Sequence, residues 1–261
     1  MLFKLSEIAG SIAISLKIIK FLLLKLYAFW VFLVFTVFMF VFLPGLTIPF
    51  FLGRRFSWIG YVFLKIWSWV FSMLTFIRYE IHGRENFHKG QAYIYVSNHT
   101  SFLDLPGLSL TIPGEYKPMA KKELLKIPIF GWWIAPAAAV IVDRSSGESR
   151  KKSMNKLKEV LEYGISILLF AEGTQNRTKE LLQPFKDGAF RIAIDTQKPI
   201  LPIVIVGGGK RMPPGTINLS PGLIKIIVLP EISIADLTTS DTTSLKQKTF
   251  DMMKAALTLH T

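Results

Sequence analysis

The chain has 261 residues, enough for one globular domain with an extension. It is 51% hydrophobic with a mean hydropathy of +0.40, high for a purely soluble domain, and many of its 21 Phe and 6 Trp fall in the first third. Its formal charge is +13, from 31 Lys+Arg against 18 Asp+Glu, and the lack of any cysteine excludes disulfides, thiolate nucleophiles and Cys-ligated zinc.

Residues 1–77 hold seven basic residues and one acidic residue, Glu7, so both parts of the chain are basic. Such a charge suits nucleic acid, an anionic membrane surface or a phosphorylated substrate. Beside a strongly apolar extension, and with no RNA- or DNA-binding motif, membrane and phosphate are favoured and no nucleic-acid partner is expected.

Residues 1–20 read either as an interfacial amphipathic helix or as the start of the first membrane helix. From Leu26 to Gly53 there are 28 residues without a charge. Their densest part, 27–43 within a helix expected at about 26–43, ends at Pro44-Gly45, where a turn region running to Arg55 is expected. Seventeen helical residues rise about 26 Å, short of a hydrocarbon core about 30 Å thick, unless the helix starts upstream. A second apolar run, about 56–77, is interrupted only by Lys65. A hairpin that spans the bilayer and one that dips into a single leaflet both fit. A signal peptide is disfavoured, because Glu7 interrupts the early residues and no small-residue cleavage site follows. Lys17, Lys20 and Lys25 on one side, with Arg78 and Arg84 on the other, suit two cytoplasmic ends.

Residues 78–261 form one piece without repeats or linkers. Strands are expected at 92–97, 138–142, 166–170, 200–206 and 223–229. Helices are expected near 105–112, 122–134, 148–163, 187–197 and 243–258, with Ser145-Ser146-Gly147-Glu148 as a capping box for the third. This order predicts an α/β domain: a single mixed sheet with helices on both faces, preceded by a two-helix membrane anchor. Pro202, inside an apolar run, suggests an edge or strand-start position.

Chemistry concentrates at strand ends. Asn98-His99-Thr100-Ser101-Phe102-Leu103-Asp104 follows a strand that ends at Ser97. On a continuous helix His99 and Asp104 would lie about 140° apart. They meet only if the chain turns between them and a helix begins near Asp104, which Pro106 in a first turn favours. Asp104 then binds one ring nitrogen of His99 and leaves the other free as a general base. A bare His-x4-Asp is as easily a loop histidine before a helix cap. Phe170-Ala171-Glu172-Gly173-Thr174, also at a strand end, presents a carboxylate, a hydroxyl and bare N–H groups where open α/β sheets bind ligands. A third element, Ala120-Lys121-Lys122-Glu123-Leu124, leads to Val140-Ile141-Val142-Asp143-Arg144, where a basic residue behind an apolar strand suits a phosphate and is as easily a solvated Arg before a capped helix. Four histidines, at 82, 88, 99 and 260, have no metal-ligand spacing, so no metal is expected.

In this order the elements resemble the glycerolipid acyltransferase family, most closely its bacterial 1-acyl-glycerol-3-phosphate (lysophosphatidate) acyltransferases, over roughly residues 79–230. The resemblance implies a membrane enzyme of phospholipid biosynthesis. It would move an acyl group directly from a thioester, acyl-CoA or acyl-carrier protein, to a lysophospholipid hydroxyl, with no further cofactor. His99 is implied as general base and Asp104 as the residue that orients it. Lys121, Arg144, Glu172, Gly173 and Thr174 are implied as holding the glycerophosphate. The family usually continues Glu-Gly-Thr with Arg-Ser, whereas Gln175-Asn176 precede Arg177 here. Either Arg177 reaches the same phosphate from further on, or the acceptor head group differs, as in a lyso-aminolipid. A bacterial-type inner membrane with the catalytic domain facing the cytoplasm is the implied location. A hydrolase using Ser101 with His99 is the rival from another class, but no Gly-x-Ser-x-Gly elbow is present. A non-catalytic membrane scaffold is the other.

Overall fold

A computed structural model of the chain describes residues 2–126, 131, 139–143 and 145–260. Helix α1 (Leu2–Phe51) and helix α2 (Arg54–Thr75) form an antiparallel hairpin that turns at Gly53, whose φ of 98° favours glycine. The break expected at Pro44 does not occur, because Pro44 and Pro49 both lie inside α1. A proline removes one backbone bond, and here packing offsets that loss. Gly45 makes room for the Phe63 ring and Gly60 for the Phe50 ring, so the helices lock together across the proline turns. Residues 1–20 are likewise no separate element, since from Leu2 onward they continue into the same helix.

Among the described residues the sheet has seven strands in the order β1-β7-β6-β2-β5-β3-β4. They are β1 (Ile77–His82), β2 (Ile94–Ser97), β3 (Tyr116–Lys121), β4 (Val140–Val142), β5 (Ser166–Phe170), β6 (Ile200–Val206) and β7 (Gly222–Val228). Neighbours are parallel except β6 and β7, so β1 and β7 run against the rest and the sheet is mixed. Helix α3 (Asp104–Thr111) packs on one face. Helices α4 (Gly147–Glu162), α5 (Gly188–Thr196) and α6 (Thr242–His260) cover the other. The expected 122–134 helix starts as a 3-10 segment, Lys122–Lys126, and its remainder lies largely outside the described residues. The cap of α4 is Ser146, one residue after the expected Ser145, with its Oγ accepting Ser149 N–H at 3.0 Å.

Both faces of the sheet are covered, which is why its inner strands read as unbroken apolar runs. Ile94, Val96 and Val204 point to a core with Leu161, Phe190 and Met253. Tyr93, Tyr95 and Ile203 point to a second core with Leu108, Trp67 and Phe71. That second core therefore includes α2, and Val31 and Leu46 of α1 join it. Ser68 and Ser109 hydroxyls bond at 2.5 Å across the α2–α3 contact, and Ser57 Oγ donates to Glu115 at 2.7 Å. The helical hairpin is thus built into the domain that follows it.

Strand β6 is central rather than at an edge. Pro202 is tolerated because it precedes Ile203, where the antiparallel ladder with β7 begins, while its carbonyl accepts Leu229 N–H at 2.9 Å.

Candidate active site

Strands β2, β3, β5 and β6 run parallel, so their C-terminal ends share one edge. The Asn98 side chain extends the pairing of β2 with β6: its amide donates to Ile205 C=O at 2.9 Å and accepts Ile205 N–H at 2.8 Å. Those two bonds let the Asn98 backbone leave the ladder and turn, which brings His99 over the strand end.

Asp104 opens α3 but does not cap it. Its Oδ2 instead reaches back to the loop, accepting Thr100 N–H at 2.8 Å, Ser101 N–H at 2.9 Å and His99 Nδ1 at 2.9 Å. The loop histidine and the helix-start aspartate are therefore one unit. The Asp104 side chain is 0% exposed and that of His99 16%, so the carboxylate is sealed while the ring keeps an opening to solvent. With Nδ1 bonded, Nε2 is the nitrogen left for a substrate proton.

Phe170 at the end of β5 stacks on the imidazole, with centroids 3.9 Å apart and planes 14° from parallel. Glu172 is buried, and its two oxygens accept His99 N–H at 3.0 Å and Gln183 N–H at 2.9 Å. Burial pushes its carboxyl pKa up, against the pull of those two donors. Glu172, expected among the residues that hold the acceptor, clamps the His99 backbone through that N–H bond. Asn176 closes the other side, donating its N–H to His99 C=O at 2.7 Å. Its side-chain oxygen accepts Thr178 N–H at 2.9 Å and Gln183 Nε2 at 3.1 Å. The Gln175-Asn176 departure thus builds a brace for the His99 loop.

Tyr79 of β1 donates its hydroxyl to Leu103 C=O at 2.9 Å. Burial, and then the Asp104 charge, push its pKa well above the usual 10, so it remains a neutral donor. The roles of Asn98, Asn176 and Tyr79 escape sequence reading because each acts through a backbone group far away in sequence.

Lys121, half-buried, ends β3. Pro118 pairs with Leu168, which puts Lys121 level with Ala171, beside the Glu172 turn. Lys121 pairs with Val142, two residues before Arg144, and Arg144 itself lies outside the described residues. Gly173 has φ 75°, which a turn this tight demands. Thr174 and Arg177 are exposed, and the Arg177 guanidinium lies against Gly215. Lys122 bonds Asp143 at 3.0 Å, and Asp143 also accepts Ser145 N–H at 2.9 Å. Ser145 first, and then Lys122, hold the Asp143 carboxyl well below the usual carboxylate range.

A family model described as Acyltransferase matches residues 78–206. A chloroplastic 1-acyl-sn-glycerol-3-phosphate acyltransferase of Brassica napus is 36% identical over 166 residues, 63% of this chain and 47% of its own length. An uncharacterized acyltransferase of Schizosaccharomyces pombe is 33% identical over 199 residues, 76% of this chain and 71% of its own. The human 1-acyl-sn-glycerol-3-phosphate acyltransferase alpha is 33% identical over 173 residues, 66% of this chain and 61% of its own. The chain thus spans about half the length of the plant relative. Among solved structures, the 1-acyl-sn-glycerophosphate acyltransferase PlsC of Thermotoga maritima superposes with a TM-score of 0.77 at 21% identity, covering 92% of this chain and 97% of that one.

Proposed function

The chain belongs to the acyltransferase family, and from that premise we propose that it transfers a fatty acyl group from a thioester to the free hydroxyl of 1-acyl-glycerol-3-phosphate, forming phosphatidate. The observation that carries this is the His99–Asp104 pair, bonded through Nδ1 at 2.9 Å, which leaves Nε2 for a substrate proton. In this reading Nε2 takes the hydroxyl proton as the oxygen attacks the thioester carbonyl, and Asp104 stabilises the imidazolium. Collapse of the tetrahedral intermediate breaks the C–S bond, and the imidazolium returns its proton to the departing thiolate. No acyl-enzyme forms, and the donor is acyl-CoA or acyl-carrier protein. Lys121, Arg144 and Arg177, with the Gly173-Thr174 turn, hold the acceptor phosphate, while Glu172 holds His99.

Two helical stretches, Gly10–Phe51 and Arg54–Thr75, are long and apolar enough to cross a membrane. We read them as the anchor, and their placement favours an acceptor that arrives from the bilayer. Tyr27 donates to Thr75 C=O at 2.6 Å and Trp30 to Leu74 C=O at 2.8 Å, so this part of α1 is level with the end of α2. Strand β1 starts there, with Ile77 paired to Gly222 beyond the end of β6, which is the edge where His99 opens. Residues 10–26, exposed throughout, run on past that edge for about 25 Å. From Lys17, Lys20 and Lys25 on this stretch, with Arg78 and Arg84 after α2, we infer that the catalytic domain faces the cytoplasm of a bacterial-type inner membrane. Initial rates of the membrane-embedded protein on a lysolipid panel with one labelled thioester test the reading. No transfer to any lysolipid would overturn it.

A further inference from the structure

We propose that Gly208 is a positioning residue of the His99–Asp104 pair, and that its missing side chain is what lets the segment after β6 close over the Asp104 carboxylate. Gly208 opens a short helical turn, Gly208–Arg211. Neighbouring Gly207 has φ 90° and needs glycine for its backbone, but Gly208 is not among the positive-φ residues. Its reason for being glycine is space. A Cβ there would stand 2.5 Å from Asp104 Oδ1, 3.1 Å from Thr100 Oγ1 and 3.3 Å from Ser101 Cβ. No relaxed contact allows the first of these, and Asp104 cannot retreat without breaking the three bonds that its Oδ2 accepts. Gly209 fastens the turn in place by donating its N–H to Thr100 Oγ1 at 3.1 Å.

This packing has an electrostatic consequence. Asp104 Oδ1 is buried and accepts no hydrogen bond from the described residues. A carboxylate oxygen enclosed by a glycine backbone keeps its charge undiluted, and in a low-dielectric surrounding that charge acts on the nearby imidazole. Gly208 thereby supports the imidazolium formed in acyl transfer without touching substrate.

The inference rests on the acyl-transfer reading, and its test separates the two. Wild-type protein and Gly208→Ala are assayed in matched membranes with lysophosphatidate and a labelled acyl thioester, and their thermal unfolding is followed. The His99 imidazole N–H resonance, assigned by its loss in His99→Gln, is recorded in detergent. Alanine in a helical turn at ordinary φ is otherwise neutral or mildly stabilising. The expected result is a kcat lowered about 10²-fold, the scale of a ~1 Å misplacement, with both KM values within about twofold. The imidazole resonance should be shifted or lost, with the unfolding temperature lowered by the strain at Asp104 and the cooperative transition retained. A Gly208→Ala protein with wild-type kcat and an unmoved resonance would overturn the proposal, as would a parallel rise in both KM values at constant kcat. If Gly208→Ala does not fold, Thr100→Val decides. It keeps the shape and removes the acceptor for Gly209 N–H, and should lower kcat severalfold at constant KM. Unchanged kcat there is equally fatal. A wild-type protein inactive on every lysolipid, with the resonance still sensitive to Gly208→Ala, would sink the acyl-transfer reading and leave the positioning role standing.

Discussion

Glu172 Oε1 accepts the backbone N–H of His99 at 3.0 Å, so a carboxylate from the second strand-end motif holds the histidine of the first. Its other oxygen holds Gln183 N–H at 2.9 Å. Glu172→Gln should therefore destabilise the fold by about 1–3 kcal/mol, because the amide NH2 must face one of those two donors. Activity should fall by loss of kcat rather than by a weaker acceptor KM. The pH dependence has a definite sign. Burial raises the Glu172 pKa above the usual 4.5, so the native state holds this proton more tightly than the unfolded chain. Its contribution to stability is largest below the unfolded pKa and is lost as pH rises through the folded one. Denaturant unfolding of both proteins from about pH 4 to 8 should show the wild-type advantage over Glu172→Gln narrowing as pH rises. An advantage that widens instead would show that the two N–H donors outweigh burial.

His99→Ala should lower transfer by roughly 10²- to 10⁴-fold in protein that folds and stays in membranes, the range expected of a general base. Asp104→Asn should come close to this. It keeps the shape but removes the charge facing the imidazolium, and it puts an NH2 beside the Thr100 and Ser101 N–H donors if the amide is turned the wrong way. Matched initial rates measure both. An active His99→Ala enzyme would remove the central mechanistic claim.

The sequence is most legible where one physical effect dominates. Strands β5 and β6 fall at the expected 166–170 and 200–206 because strands buried on both faces read as unbroken apolar runs. The His99–Asp104 turn is legible because a strand end, a polar heptad and Pro106 agree. Strands β1 and β3 stay hidden: Arg78, Glu80 and His82 break the first, and Lys117 and Pro118 the second. Pro44 and Pro49 mislead for a related reason, since the Gly45–Phe63 and Gly60–Phe50 contacts that carry α1 through them come from α2. Glu172 could be placed at the site from sequence, but its task could not. What it holds is a backbone N–H 73 residues away.

Membrane attachment should survive high salt and carbonate, because burial of apolar surface is not screened by ions. The structure distinguishes two truncations. Removing residues 2–24 takes away only the part of α1 that projects past the sheet, so the domain should still fold, with weaker membrane retention and slower turnover of a bilayer-borne acceptor. Removing residues 1–77 takes away Trp67 and Phe71, which fill the second core beside Leu108 and Ile203, and should give insoluble protein. Sedimentation of washed membranes and unfolding of the purified truncations check both outcomes. A stable, soluble domain lacking 1–77 would show that α2 is an appendage.

The acceptor itself is the most informative prediction. Lysophosphatidate should be acylated faster than any lysolipid whose phosphate is a diester. Lys121 and Val142 pair on adjacent strands at the edge that carries His99, and Arg177 stands exposed beyond the Glu172 turn. A doubly charged terminal phosphate gains most from such a set, whereas a zwitterionic head group brings its own cation towards it. The geometry of Asn176 sharpens the case for Arg177. Asn176 is tied down by His99 C=O, Thr178 and Gln183, so Arg177 leaves a fixed point in the loop. Neutralising Lys121, Arg144 or Arg177 singly should raise the KM for the lysolipid and leave that for the thioester nearly unchanged, since the phosphate contact serves one substrate only. Equal losses toward both substrates would assign these cations to folding or to the donor. A lyso-aminolipid acylated fastest would keep the acyl-transfer chemistry at His99 and replace lysophosphatidate as its acceptor.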